Sequence, residues 1–162
     1  MVPVFKGYYT SPLGILEICA TGSFLIAVKF LAEEVVCNVG EIEGSALIDM
    51  AMQQLTEYFE DRRKQFDLPL AFEGTEFQQK VWKELTKIPF GQTLSYGRLA
   101  ELLGSKQLVR AVGTANGRNP IGIIVPCHRV IGVQGDLVGY AGGLWRKQWL
   151  LEHEGSQKLL PW

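Results

Sequence analysis

Histidine and cysteine are scarce in this chain of 162 residues, which holds two of the first and three of the second. The cysteines, Cys19, Cys37 and Cys127, form no C-x-x-C pair, and their odd number does not suit a disulfide framework. With only His128 and His153 beside them there is no zinc-ligand spacing. A reduced, cytoplasmic protein without metal or cofactor is therefore expected. No apolar run reaches the ~18 residues a membrane span needs. The opening stretch MVPVFKGYYTSPLG has neither the basic flank nor the apolar centre of a secretory signal. Internal repeats and low-complexity tracts are absent too.

What is present suits a globular protein of one large or two small domains, since 47% of the residues are hydrophobic. The net charge of −1 conceals an asymmetry: residues 1–74 carry 5 Lys+Arg and 11 Asp+Glu, whereas residues 75–162 carry 11 and 6. A basic half beside an acidic half fits contact of one half with a polyanion, or merely an uneven surface.

The first 30 residues alternate as strands do, in VFKGYYT, ILEICA and FLIAVKF, with SPLG and TGS as short turns; this predicts an antiparallel meander. Residues 45–64 carry apolar side chains at 47, 50, 51, 55, 58 and 59. They read as a helix with Ser45 as N-cap and basic residues in its last turn. The stretch QFDLPLAFEG (65–74) contains Pro69 and reads as an extended connector, so the domains are expected at 1–72 and 73–162.

From Thr75 the pattern turns helical. TEFQ fits a capping box, and Phe77, Val81, Leu85 and Ile88 line one face of the helix that follows. SYGRLAELLG, with Ser95 as N-cap and Gly104 as its stop, is followed by SKQLVRAVGTANG with Ser105 as N-cap. Two short helices joined through one glycine make a helix-turn-helix candidate. In the second, Leu108, Val112 and Ala115 face inward, while Arg110, Gly113, Thr114 and Gly117 lie opposite. Each glycine costs about 1 kcal/mol relative to alanine in a helix, which points to close approach of a partner on that face, or to tight helix packing. A slim face with one arginine is compatible with a DNA minor groove, roughly 6 Å wide.

The chemistry concentrates in GIIVPCHRVIG (122–132), read as a buried strand that ends in Cys127 behind the rigid Pro126. A thiolate is a strong nucleophile, and the neighbouring His128 and Arg129 offer cations that lower a thiol pKa. The alternative is a packed cysteine, the reading given to Cys19 and Cys37. A histidine base needs an orienting third group. Glu154, in the last turn of the helix LWRKQWLLEHEG, opposes the helix dipole and so needs a partner, unless that terminus is frayed and solvated.

IVPCHRVIG, TLSYGRLAELLG, RAVGTANGRNP, GYAGGL and WLLEHEG, with their order and spacing, resemble the O6-alkylguanine-DNA alkyltransferases, also called methylated-DNA–protein-cysteine methyltransferases. The resemblance is specific from residue 75 to 155 and compatible with the family's variable N-terminal domain before that. It implies that Cys127 accepts an alkyl group, with His128 acting on it through a bound water and Glu154 holding the imidazole. Asn119 becomes a hydrogen-bonding hinge, and Tyr96 a proton donor to the departing guanine. Val125 (through its carbonyl), Tyr140 and Ala141 line the base pocket. Arg110 fills the gap left by a flipped nucleotide, and Ser95, Ala111, Gly113, Thr114 and Gly117 face DNA. Ala141 stands where some members carry a serine, and Asn116 and Gly122 where others carry bulkier residues. The partner implied is double-stranded DNA bearing O6-alkylguanine, with O4-alkylthymine as a further substrate and the protein a monomer. The fold expected is α+β: an N-terminal α/β domain with an antiparallel sheet, then a mostly helical, winged-helix-like domain. A non-catalytic lesion binder on the same scaffold is the alternative, and the presence of Cys127 argues against it.

Overall fold

The computed structural model describes residues 3–32 and 44–155. Cys37 lies outside them. The chain folds as two compact units that change over between Phe72 and Glu73, and the architecture is α+β.

In the first unit, β1 (Phe5–Ser11), β2 (Gly14–Ala20) and β3 (Leu25–Phe30) form an antiparallel meander in sequence order, as the alternation predicts. Leu16, Ile18 and Ala20 of β2 point to one face and are buried, the period-2 outcome of a half-covered sheet. Helix α1 (Ala46–Phe59) supplies the cover with Leu47, Ile48, Ala51, Leu55 and Tyr58. Its approach needs Gly7 in β1, where a Cβ would stand 2.6 Å from Ile48 Cγ2.

Ser45 caps α1 as expected, accepting from the Ile48 amide at 3.3 Å. The helix covers its apolar stripe but stops short of residue 64 and has no basic last turn. It stops because Asp61 adopts the left-handed conformation (φ 61°), which Asp tolerates better than most residues. Arg62 and Arg63 lie beyond, and Arg63 turns back to Glu57 at 3.2 Å. The connector is pinned rather than free. Leu25 donates to the Pro69 carbonyl at 2.8 Å and accepts from Ala71 at 3.1 Å, while the Gln54 amide holds both backbone groups of Asp67.

The second unit opens on α2 (Glu76–Leu85), whose capping box of Thr75 and Gln78 is formed in both directions. Strand β4 (Leu94–Ser95) leads into α3 (Tyr96–Leu102), capped by Ser95. Gly104 then turns the chain at φ 127°. Ser105 caps a single 3-10 turn (Lys106–Leu108), which runs into α4 (Val109–Gly117). The Trp82 indole donates to the Ala115 carbonyl at 2.8 Å and ties α4 to α2.

The segment 122–127 is not the buried strand its composition suggests. The Ile124 amide bonds to the Gly122 carbonyl at 2.7 Å with Ile123 at φ 67°, a γ-turn of the rarer, strained hand. A second γ-turn of the ordinary hand follows, from the Cys127 amide to the Val125 carbonyl at 2.8 Å, centred on Pro126 (φ −83°, ψ 63°). Proline's restricted φ suits that turn. Cys127 begins a 3-10 turn (Cys127–Arg129), and the strand comes after it as β5 (Val130–Ile131), parallel to β4. Helix α5 (Leu144–His153) closes the unit.

Candidate active site

The β4–β5 pairing sets Leu94 opposite Val130 and Ser95 opposite Ile131, so the first residue of α3, Tyr96, starts beside the Cys127 segment. Asn119 stitches that segment together. Its Oδ1 accepts from the Ile121 amide at 3.0 Å, and its Nδ2 donates to the carbonyls of Val125 at 2.8 Å and Ile121 at 3.3 Å. The strained turn at Ile123 is thus held from α4's end, which joins the helix to the cysteine.

Both lone pairs of the Val125 carbonyl are engaged, by Asn119 and by the Cys127 amide, and Val125 is fully buried. Val125 thereby sits in the frame behind the cysteine.

Cys127 is itself buried. Burial pushes its thiol pKa up, against the Asn119 amide and the charge of Lys147, which pull it down. The resting group is the thiol, and its reaction needs a base. Next to it, His128 is completely enclosed, and its Nε2 lies 2.9 Å from Glu154 Oε2. Glu154 caps the C-terminus of α5 and is buried, so the frayed terminus is excluded.

Arg129 does not serve the thiol as the sequence suggested. It grips Glu154 with Nε on Oε1 at 2.8 Å and Nη2 on Oε2 at 3.0 Å, donates through Nη1 to the Ile88 carbonyl, and lies over the Phe90 ring. Burial alone would raise the Glu154 pKa, but His128 and Arg129 outweigh it and hold the carboxyl well below its usual range. Burial, opposed by Glu154 and aided by the Arg129 charge, pushes the His128 pKa down. The pair therefore rests as carboxylate and neutral imidazole. A carboxylate only accepts, so Nε2 carries the proton and Nδ1 carries the lone pair. That Nδ1 is buried and has no hydrogen-bond partner among the described residues.

The second cation near the thiol is Lys147, wholly buried on α5. Its Nζ donates to the carbonyls of Val138 at 3.0 Å and Gly139 at 3.3 Å and lies 3.4 Å from the Tyr96 hydroxyl. Burial lowers its pKa to about 8, against the pull of Cys127. The Tyr96 hydroxyl donates to the Val138 carbonyl at 2.8 Å. Burial and then the proximity of Cys127 push both the Tyr96 and Tyr140 pKa values up, so both phenols keep their protons.

A cleft of about 600 Å³ runs between α4 and the glycine-rich loop, lined by Arg110, Gly113, Thr114, Asn116 and Gly117 on one side and Tyr96, Val138 and Tyr140 on the other. A Cβ at Gly113 or Gly117 would meet nothing within 4 Å. Helix packing therefore does not explain these glycines, and the slim face opens outward. Ala111 and Ala141 are exposed but outside the cleft lining, and Ser95 is committed to the Arg98 amide at 3.0 Å.

Sequence reasoning missed the roles of Arg129 and Lys147. Lys147 carried a signal, since positions 147, 150, 151 and 154 form one helical stripe that is buried throughout. Among the described residues no helix is long and apolar enough to cross a membrane.

A base-supported thiol thus shares one unit with an open, groove-sized helical face. Comparison with known proteins agrees on both halves. The model of the 6-O-methylguanine DNA methyltransferase DNA-binding domain matches residues 76–156, and that of the ribonuclease-like domain of the same proteins matches residues 4–72. A methylated-DNA–protein-cysteine methyltransferase of Methanosarcina acetivorans is 44% identical over 155 residues, which cover 94% of this chain and 99% of that protein. One from Mycobacterium leprae is 47% identical over 150 residues, 92% and 91% of the two chains. The crystal structure of Mycobacterium tuberculosis OGT in complex with DNA superposes with a TM-score of 0.83 at 45% identity, covering 94% of this chain and 93% of that one. The chain belongs to the 6-O-methylguanine DNA methyltransferase family.

Proposed function

We propose that the protein repairs double-stranded DNA directly, moving the alkyl group of O6-alkylguanine onto Cys127. The enzyme class is methylated-DNA–[protein]-cysteine S-methyltransferase. The observation that carries the chemistry is the lone pair of His128 Nδ1: buried, unpartnered, and backed through Nε2 by an ionised Glu154. The thiol passes its proton to Nδ1 through one water. The thiolate sulfur attacks the alkyl carbon, an S–C bond forms as the C–O bond breaks, and the electron pair leaves with the guanine. Tyr96 exchanges its bond to the Val138 carbonyl for one to the purine and supplies the proton that neutralises the leaving base. Glu154 stabilises the imidazolium formed, and Arg129 keeps Glu154 charged throughout.

The thioether product resists hydrolysis, so each molecule acts once. The reacting carbon lies inside a stacked duplex, which requires the nucleotide to be flipped out. Arg110, which lines the cleft from α4, fills the gap it leaves, with Gly113, Thr114 and Gly117 against the groove. O4-alkylthymine presents the same ether chemistry and is a second substrate. In this reading residues 73–162 bind DNA and transfer the alkyl group, residues 1–72 form a separate α/β domain, and the protein works in the cytoplasm as a monomer. A non-catalytic lesion binder is not favoured, because the nucleophile and its base are both in place.

Incubation with a duplex containing O6-methylguanine, followed by intact mass measurement, tests the reading. One methyl group should be gained, once, on the peptide carrying Cys127. Cys127→Ser should gain none and still bind the duplex. Transfer in that variant, or repeated turnover by the wild type, overturns the assignment.

A further inference from the structure

The short loop after α2 closes over the back of the base. Residues 89–92 form a tight turn, with the Gln92 amide donating to the Pro89 carbonyl at 3.1 Å and Gly91 at φ 81°. A left-handed residue in the third place marks a type II turn, and glycine takes it without strain. Three groups of this loop meet the buried ion pair. The Ile88 carbonyl, just ahead of the turn, accepts from Arg129 Nη1. The Phe90 ring lies over the guanidinium, its centroid 5.9 Å from Arg129 Cζ. Gly91 approaches the Glu154 carbonyl so closely that a Cβ there would stand 3.1 Å from the oxygen. Phe90 is itself partly exposed while Arg129 and Glu154 are buried, so its ring forms part of the boundary between that pair and solvent.

We propose that residues 89–92 are a lid on the ion pair behind His128 and that Phe90 is its positioning residue, keeping water off the Arg129 guanidinium. The inference rests on His128 as the base of the alkyltransferase reading. Phe90 acts through Arg129 and not on a reacting atom. The charged groups that face His128 are Glu154 and Lys147, both delivered by α5, and Arg129 from its own 3-10 turn, with the Cys127 thiol next to it. Residues 89–92 carry no charge, so the lid reaches the imidazole only through what it excludes. Burial is the largest influence holding the His128 pKa down, and the Arg129 charge adds to it. Water admitted past Phe90 weakens both. Glu154, which pulls the pKa up, is in direct contact at 2.9 Å and leaves no gap for water to screen. The signs agree: opening the lid lets the imidazole hold its proton to higher pH, and Nδ1 has no lone pair while it does. An aromatic face suits the position, because a guanidinium stacks on it while its nitrogens stay on Glu154 and Ile88.

Phe90→Leu keeps an apolar side chain and removes the ring, whereas Phe90→Tyr keeps the ring. The readout is the His128 imidazole itself, followed by NMR titration of the full chain. His153→Gln separates its resonances from those of the only other histidine. The midpoint should rise by about half a pH unit in Phe90→Leu, the scale of one partly exposed cation–π contact. It should stay at the wild-type value in Phe90→Tyr. In an Arg129→Met background there is no cation to cover, and adding Phe90→Leu should move the midpoint by much less. Equal midpoints in Phe90→Leu and the wild type refute the proposal, whatever happens to stability. So does an equal shift with and without Arg129, which would make Phe90 a packing residue. Should Phe90→Leu not fold, Phe90→Met takes its place; should the double variant not fold, the contrast with Phe90→Tyr decides. The rising limb of single-turnover transfer should follow the same order as the midpoints. A midpoint that moves without the limb would leave the lid standing and overturn His128 as the base instead.

Discussion

Replacing Arg129 by methionine separates the two things the arginine does. The guanidinium makes two bonds to Glu154, one to the Ile88 carbonyl, and is 6% exposed. Removing one member of a buried ion pair costs about 3–5 kcal/mol, because the other charge is left without its partner. Methionine fills most of the aliphatic volume, so little of that loss comes from a cavity. The second effect falls on His128. Burial holds its pKa down, Glu154 pulls it up, and the Arg129 charge adds to the downward side. Without the arginine one downward contribution is gone, burial and the Lys147 charge remaining, and the imidazole holds its proton to higher pH than in the wild type. A protonated His128 has no lone pair on Nδ1, and each unit by which its pKa exceeds the working pH removes about a factor of ten in active base. The rising limb of single-turnover transfer by Arg129→Met should therefore be displaced to higher pH than in the wild type. Stability carries its own pH signature. The depressed pKa of Glu154 means that its contribution is present above the unfolded value of about 4.3 and is lost as pH falls through the folded value. In the variant this acid-dependent part should shrink, as followed by denaturant unfolding at several pH values. A variant that is destabilised but keeps the wild-type rate profile would show that Arg129 only braces the fold, and the charge argument would be wrong.

Gly113→Ala should raise helix stability by about 1 kcal/mol, since the added methyl meets nothing, yet weaken binding to duplex DNA; unchanged affinity in a titration would remove the slim face of α4 from the interface. Arg110→Ala should react slowly with O6-methylguanine in a duplex and at near wild-type rate with a free O6-alkylguanine base, which needs no flipping. Equal slowing on both substrates would place Arg110 in the pocket or the fold rather than in the gap.

Local chemistry is what the sequence displayed best. The capping box at Thr75, the caps at Ser45 and Ser95, and the three-strand meander depend on neighbours a few residues away, and each formed as expected, whereas Ser105 caps a 3-10 turn ahead of α4 rather than α4 itself. The end of α1 was misjudged because one aspartate in a left-handed conformation outweighed five further residues of helix-compatible sequence. The segment before Cys127 was misjudged for a different reason. Its apolar run is buried on all sides, which is how a central strand reads, but its backbone groups are satisfied by the Asn119 side chain and by two γ-turns rather than by a ladder. Composition carries the burial and not the pairing.

The site follows the same division. Cys127 and His128 are adjacent, and their motif announced a nucleophile and a base. The third member was visible only as a carboxylate at the unfavourable end of a helix dipole, a signal that fits solvation as well as pairing. What decides between them is Arg129, 25 residues away in sequence, which neighbours His128 and was read as a partner of the thiol. A guanidinium presents a planar fork that matches a carboxylate in two bonds, whereas a thiol offers one weak acceptor. Once Glu154 is brought within reach by α5, the arginine turns to it. The thiol is left with the charge of Lys147 from the same helix. Helix α5 thus delivers both the group that orients the base and the cation nearest the nucleophile, although it contributes no reacting atom.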